Sequence, residues 1–368
     1  MSTQSSAVRI CFVTPEYPPH VGGAARSAQR LIKGLAETGF EVVVFTAVWP
    51  GQTSSWYTED GALIYRIPFS PQSLLGLIDS EDEQQPFDIF HGFSLTAAYP
   101  CLGFASRGDR PVIASIRGID GMEFDKLAIN VLRRSSWFTS VSSDSLDRAM
   151  AVRDISNCST VIPNSIDLSR FSPWRSTPTN QGIVGTIATF RPKKNIPLLI
   201  EAYSRVPINI RKQLLLVGDS FQGNTLSTEG RKQLDQIIEN LGLASEVEIT
   251  GYVDNARLSE YQQRMRVFAL SSDHEGMPNA LLEAAAAGMP IVATAVDGVK
   301  DIFTNGKDAL LVEPGNPVLL SEAIESVLTD EGLACRLGSE ARATAAQLTR
   351  EEELKRYVEL YRVLLSKL

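Results

Sequence analysis

Two glutamates, Glu275 and Glu283, stand eight positions apart in the stretch 271–299, SSDHEGMPNALLEAAAAGMPIVATAVDGV. The run reads as a strand end, a short loop, an alanine-rich helix and a second strand. Pro278 suits the first helical position, and Gly288 and Pro290 fall where the helix must stop. Glu275 then lies in the loop, and Glu283 about two turns further along, inside the helix. A helix N-terminus turns unpaired N–H groups toward an anion, and Gly276 lets a ligand approach the backbone closely. Carboxylates on either side of that terminus can grip hydroxyls that flank a bound phosphate, which is the chemistry of a sugar nucleotide. Taken alone, the pair reads equally well as a helix cap and a solvated helix residue.

A second cluster is cationic. Arg191, Lys193 and Lys194 fall between the strand pattern 182–188 (GIVGTIA) and a helix from about Ile196. Positive side chains beside helix N–H groups make a clamp for a diphosphate, the alternative being a solvated basic loop. Glycines recur where strand patterns end: Gly22 and Gly23 after 8–14 (VRICFVT), Gly218 before Asp219, and Gly251 before Tyr252. Open α/β sheets bind ligands at such strand ends. The spacing is not G-x-G-x-x-G, which disfavours a dinucleotide-dependent dehydrogenase. His91 ends the strand pattern 88–93, either lining a cleft or satisfied and half-buried. Arg117 and Asp120 sit in R-G-I-D after 111–116. The Arg117 fork can hold a phosphate or carboxylate, or simply pair with Asp120 at little gain.

In this order the segments resemble the retaining glycosyltransferases of the GT-B fold, family 4, whose signature E-x7-E is matched by E-G-M-P-N-A-L-L-E. The resemblance implies a nucleoside-diphosphate sugar donor (UDP-sugar or GDP-sugar), no cofactor and no metal. It implies catalytic roles for Glu275, Lys194 and Arg191. Donor contacts would come from Gly22, Gly23, Gly251, Gly276, Met277, Pro278, Asn279 and Glu283, with Glu283 on the ribose hydroxyls. His91, Arg117 and Asp120 would line the acceptor side or cleft. Three segments depart from the commonest family pattern. Arg117 replaces a strand-end His, Ala188-Thr189 replace a Gly-Arg pair ahead of Lys194, and Ser165 replaces a Gly in VIPNSID.

The elements that must position these residues alternate strand and helix along the chain. The fold expected is α/β: two Rossmann-like doubly wound domains facing a cleft, with a C-terminal helix crossing back to the first. Residues 1–168 would form an acceptor domain, 182–345 a sugar-nucleotide domain, and 346–368 the terminal helix. Ser169–Gln181, rich in Pro, Ser and Thr, reads as the linker. Residues 79–85 (DSEDEQQ) read as an acidic surface segment.

At 368 residues the chain is long enough for two cores. Hydrophobic content of 43% with 21% charged residues fits a soluble globular protein. A net charge of −8, spread evenly over both halves, argues against a nucleic-acid binder. The four cysteines include no C-x-x-C pair, which suits a reducing compartment. Residues 1–7 lack a signal-peptide core and no apolar run approaches membrane-spanning length. A cytoplasmic enzyme is expected, with peripheral contact to the membrane left open and a glycan, lipid-linked or small-molecule acceptor. An epimerase or phosphorylase of the same fold, and a silent sugar-nucleotide-binding subunit, stay open as alternatives.

Overall fold

The computed structural model describes residues 7–20, 22–48, 51–105, 107–117, 125–219 and 225–367. The chain forms two compact units. One is built from the chain up to Asn164 together with the chain from Glu351 onward, the other from Ser165–Arg350.

The first unit carries β1 (Arg9–Thr14), β2 (Glu41–Ala47), β3 (Ser55–Glu59), β4 (Ala62–Ile67), β5 (Ile89–Gly92), β6 (Val112–Ile116), β7 (Trp137–Ser140) and β8 (Ser159–Val161). They lie in the order β3-β4-β2-β1-β5-β6-β7-β8, with the β3–β4 hairpin antiparallel and the other pairings parallel. Side chains of a strand alternate between faces, so a strand covered on both faces reads as a continuous apolar run. Cys11, Val13, Val43, Phe45 and Phe90 accordingly pack in one core, and Ile10, Phe12, Val42, Val44 and Ile89 in another. The second core is closed by the helix Gly23–Glu37, through Ala28, Leu31, Ile32 and Leu35, and by the terminal helix Arg350–Leu365, through Tyr357 and Tyr361. Arg30 and Glu353 join these two helices in a two-pronged ion pair at 2.9 and 3.3 Å.

Residues 79–85 are not the solvated surface segment that their charge suggests. Most of the run completes the helix Pro71–Gln84, which the Ser70 side chain caps and Pro71 starts. Glu81 and Asp82 are buried. Glu81 accepts from Arg9 at 2.9 Å, and Asp82 accepts from both terminal nitrogens of Arg110 at 2.6 and 2.9 Å. Burial pushes the Asp82 carboxyl up, and the Arg110 bonds overcome it and hold the group below its ordinary value. Both arginines are remote in sequence, so nothing local marks these carboxylates as buried.

The second unit carries β9 (Ile183–Ile187), β10 (Gln213–Val217), β11 (Val247–Ile249), β12 (Val267–Leu270), β13 (Ile291–Thr294) and β14 (Leu310–Val312). Their order is β11-β10-β9-β12-β13-β14, and all five pairings are parallel. The stretch 169–181, expected as a linker, is fastened to this unit. The Trp174 backbone N–H donates to the Ala287 carbonyl at 2.7 Å, and its indole Nε1–H to the Met265 carbonyl at 2.8 Å.

Candidate active site

In the second sheet the strand order reverses between β9 and β12. In open α/β sheets the crossovers leave to opposite sides at such a point, and ligands bind at the loops that follow the two strands. Those loops are 188–195 and 271–278, the two segments singled out for their charges.

The loops are stitched together by hydrogen bonds. The Ser271 hydroxyl donates to the carbonyls of Lys194 and Asn195, each at 3.0 Å. The Asp273 N–H donates to the Lys193 carbonyl at 2.9 Å, and the Asn195 side chain donates to the Asp273 carboxylate at 2.8 Å. Asn195 sits in the left-handed region (φ 43°), which Asn tolerates, and caps the helix Ile196–Arg205 through Leu198 N–H. Held this way, the Lys194 ammonium pairs with Oε1 of Glu275. The Ser272 hydroxyl donates to the same oxygen at 2.6 Å. The Glu275 side chain is only 6% exposed and that of Lys194 18%. A carboxylate so far out of water is tolerable only when paired and hydrogen-bonded.

Directly after Glu275 come Gly276, buried Met277 and buried Pro278, then the helix Asn279–Ala287. Pro278 caps that helix rather than opening it, one position earlier than its pattern suggests, and its side chain offers no cap hydrogen bond. Gly288 closes the helix in the left-handed region (φ 77°). Seven consecutive buried residues, Leu281–Ala287, run along it, and Glu283 is one of them at 6% exposure. The alanines leave the backbone thin enough for close packing. On the neighbouring helix Glu331–Ala345, a Cβ at Gly338 would stand 2.2 Å from the Gly288 carbonyl oxygen.

Gly251, another candidate of this unit, follows β11 at the carboxyl edge of the sheet. Gly251 (φ 71°) forms an isolated bridge with Gly218 (φ 133°), and the Asp219 carbonyl accepts from Phe190 N–H at 3.0 Å. No side chain fits at Gly218, where a Cβ would lie 1.9 Å from the Ala188 carbonyl oxygen. Tyr252, beside Gly251, is 58% exposed. Arg191 is exposed, and among the described residues its guanidinium makes no hydrogen bond or ion pair. Thr189 lies two positions ahead of it, and its carbonyl accepts from Arg191 N–H at 2.7 Å.

In the first unit the strand order reverses between β1 and β5, and Gly22 and Gly23 lie in the connection that follows β1, at the start of the helix Gly23–Glu37. His91 is fully buried. Its Nδ1 meets the Tyr361 hydroxyl at 2.6 Å and its Nε2 the Ser115 hydroxyl at 2.8 Å. Burial, with Arg117 nearby, pushes its pKa down to about 3, so the ring is neutral near pH 7. Of the two readings open for His91, the satisfied residue describes it, more deeply buried than expected. Arg117 lies 3.9 Å over the Phe93 ring and bonds the Asn164 side chain. Burial lowers its pKa, while Tyr357 and Glu353 on the terminal helix oppose that fall. Asp120, like Gly118 and Ile119, lies outside the described residues.

Four residues of this site have no counterpart among the candidates drawn from the sequence: Ser271, Ser272, Asp273 and Gly298. Gly298 N–H donates to the Glu275 carbonyl at 3.2 Å, and a Cβ at Gly298 would fall 2.1 Å from the Gly276 carbonyl oxygen. The run S-S-D-H-E and the D-G-V after β13 were the available signals.

Comparison with known proteins identifies the family and the fold. The family model for glycosyl transferases group 1 matches residues 171–344, and that for Glycosyltransferase Family 4 matches residues 21–170. The lipopolysaccharide core biosynthesis glycosyltransferase LpsE of Rhizobium meliloti (strain 1021) is 30% identical over 185 residues, a match spanning 50% of this chain and 51% of that one. Sucrose-phosphate synthase from Thermosynechococcus elongatus superposes with a TM-score of 0.87 at 20% identity, covering 98% of this chain and 100% of that one. Anabaena HepE in complex with UDP-glucose gives 0.80 at 19% identity, covering 98% and 100%. Two Rossmann-like α/β units with parallel sheets define the GT-B class of fold. The chain belongs to the family 4, group 1 type of glycosyltransferases.

Proposed function

We propose that the protein transfers a hexose-type sugar from a nucleoside-diphosphate sugar to an acceptor hydroxyl, with retention of anomeric configuration. The observation that carries this reading is the pairing of Lys194 with Glu275 at the strand-order reversal, directly ahead of the helix Asn279–Ala287. Lys194 and Arg191 would hold the diphosphate together with the backbone of Gly276–Asn279, and Glu283 the ribose hydroxyls. Glu275 would bond hydroxyls of the transferred sugar rather than attack it.

In the reaction the bond from the anomeric carbon to the phosphate oxygen breaks, and the acceptor oxygen bonds that carbon on the same face. The acceptor proton passes to the leaving phosphate oxygen. Negative charge grows on the diphosphate in an oxocarbenium-like transition state, where fixed cations and helix N–H groups stabilise it best. The reading therefore asks for no metal ion, and transfer should survive a chelator. The UDP-glucose in HepE supports a uridine donor, with GDP-sugars the other class to test. A glycan, lipid-linked or small-molecule hydroxyl serves as acceptor. Among the described residues no helix is long and apolar enough to cross a membrane.

The test is the anomeric proton coupling in the NMR spectrum of the product, after a screen of sugar nucleotides by thermal shift. Retained configuration supports the reading. Inverted configuration, or hydrolysis without transfer to any acceptor, overturns it.

A further inference from the structure

We infer that Ser272 is a positioning residue for the transferred sugar, because it assigns separate tasks to the two oxygens of Glu275. Among the described residues both side-chain partners of this carboxylate, the Lys194 ammonium and the Ser272 hydroxyl, converge on Oε1. Among the described residues Oε2 accepts no hydrogen bond. An ionised carboxylate has about four acceptor directions and turns readily about its last bond. Two donors on one oxygen stop that rotation and fix the direction in which Oε2 faces.

Ser272 is suited to this work by its own support. It is fully buried, and its carbonyl accepts from the Thr294 hydroxyl, on β13, at 2.6 Å. The neighbouring Ser271 ties the same strand end to the loop of Lys194. Lys194 alone would leave Glu275 on a flexible partner. Its ammonium is a point charge on a long stem and can follow the diphosphate that it also neutralises. The Ser272 bond stays in place when Lys194 turns toward the diphosphate. Oε2 is then held ready for a sugar hydroxyl through binding and departure of the leaving group.

The inference rests on the donor reading above, and its test separates the two. Calorimetry compares UDP-glucose with UDP, and GDP-mannose with GDP, on wild-type protein, Ser272→Ala and Ser272→Cys. The cysteine keeps the volume of the site while donating a much weaker hydrogen bond, and it reports if the alanine variant folds poorly. Wild-type protein that binds neither pair overturns the donor reading and this inference with it. With a binding pair in hand, both variants should keep their affinity for the bare diphosphate, while the ratio of sugar-nucleotide to diphosphate affinity falls about tenfold. An unchanged ratio in folded variants overturns the role of Ser272. Equal loss of both ligands also overturns it, since Ser272 would then hold the loop as a whole.

Discussion

Gly298→Ala should disable the enzyme far more than it destabilises it. Gly298 is buried, and its backbone lies outside the left-handed region, so alanine is conformationally acceptable and only space decides. The added Cβ would stand 2.1 Å from the Gly276 carbonyl oxygen and 2.5 Å from that of Glu275. Both are backbone atoms, and a carbon needs more than 3 Å, so the loop or the glycine must shift on the order of 1 Å. Retreat of Gly298 stretches its 3.2 Å bond to the Glu275 carbonyl. Overpacking of this kind costs about 1–3 kcal/mol, a fall in Tm of roughly 2–4 °C for each kcal/mol in a unit of this size. The same shift moves the backbone on either side of the Glu275 carboxylate, and a misplacement near 1 Å costs about 10²-fold in rate. Thermal melts by circular dichroism and initial rates with saturating donor measure the two effects. Gly76→Ala is the control, because Gly76 lies in the helix Pro71–Gln84 with no described atom near its would-be Cβ. It should gain about 0.5–1 kcal/mol and leave the rate unchanged. Turnover of Gly298→Ala within threefold of wild type, at an unchanged Tm, would show that the two loops have room for a methyl group.

Lys194→Ala should lower turnover about 10²–10³-fold while the far-ultraviolet spectrum stays native. It also leaves Glu275 largely buried with Ser272 as its remaining charge-assisted partner, so Lys194→Ala/Glu275→Gln should melt higher than Lys194→Ala alone. His91 has a folded pKa near 3 against 6.5 in the unfolded chain. The unfolded state therefore binds more protons between these values, and stability present above pH 6.5 is lost as pH falls toward 3. Denaturant titrations between pH 5 and 6.5 should show that slope in wild type and a flatter one in His91→Asn. Equal slopes would mean that His91 titrates normally in the folded protein.

The order of elements was legible because continuous apolar runs mark strands covered on both faces, and 3.6-residue periodicity marks the helices between them. The patterns 8–14 and 182–188 enclose β1 and β9 to within one residue at each end. Lys194 and Glu275 were each visible as charges in a glycine- or proline-bearing loop. Their contact was not, since 81 positions separate them and only the strand-order reversal brings the loops together. Glu81 and Asp82 misled for the same reason, their arginines being remote in sequence. For Gly298 the sequence offers only the D-G-V run, because the residue's requirement is a backbone approach from another loop. Ser272 was hidden by being an ordinary serine, whose role appears only when its hydroxyl is seen on Oε1 of Glu275.

The most direct test of the account is a crystal structure of the protein with the sugar nucleotide that binds it. The diphosphate should lie at the N-terminus of the helix Asn279–Ala287 within reach of Lys194, the ribose hydroxyls on Glu283, and a sugar hydroxyl on Oε2 of Glu275. A nucleotide bound elsewhere, with the Lys194–Glu275 pair untouched, would contradict it.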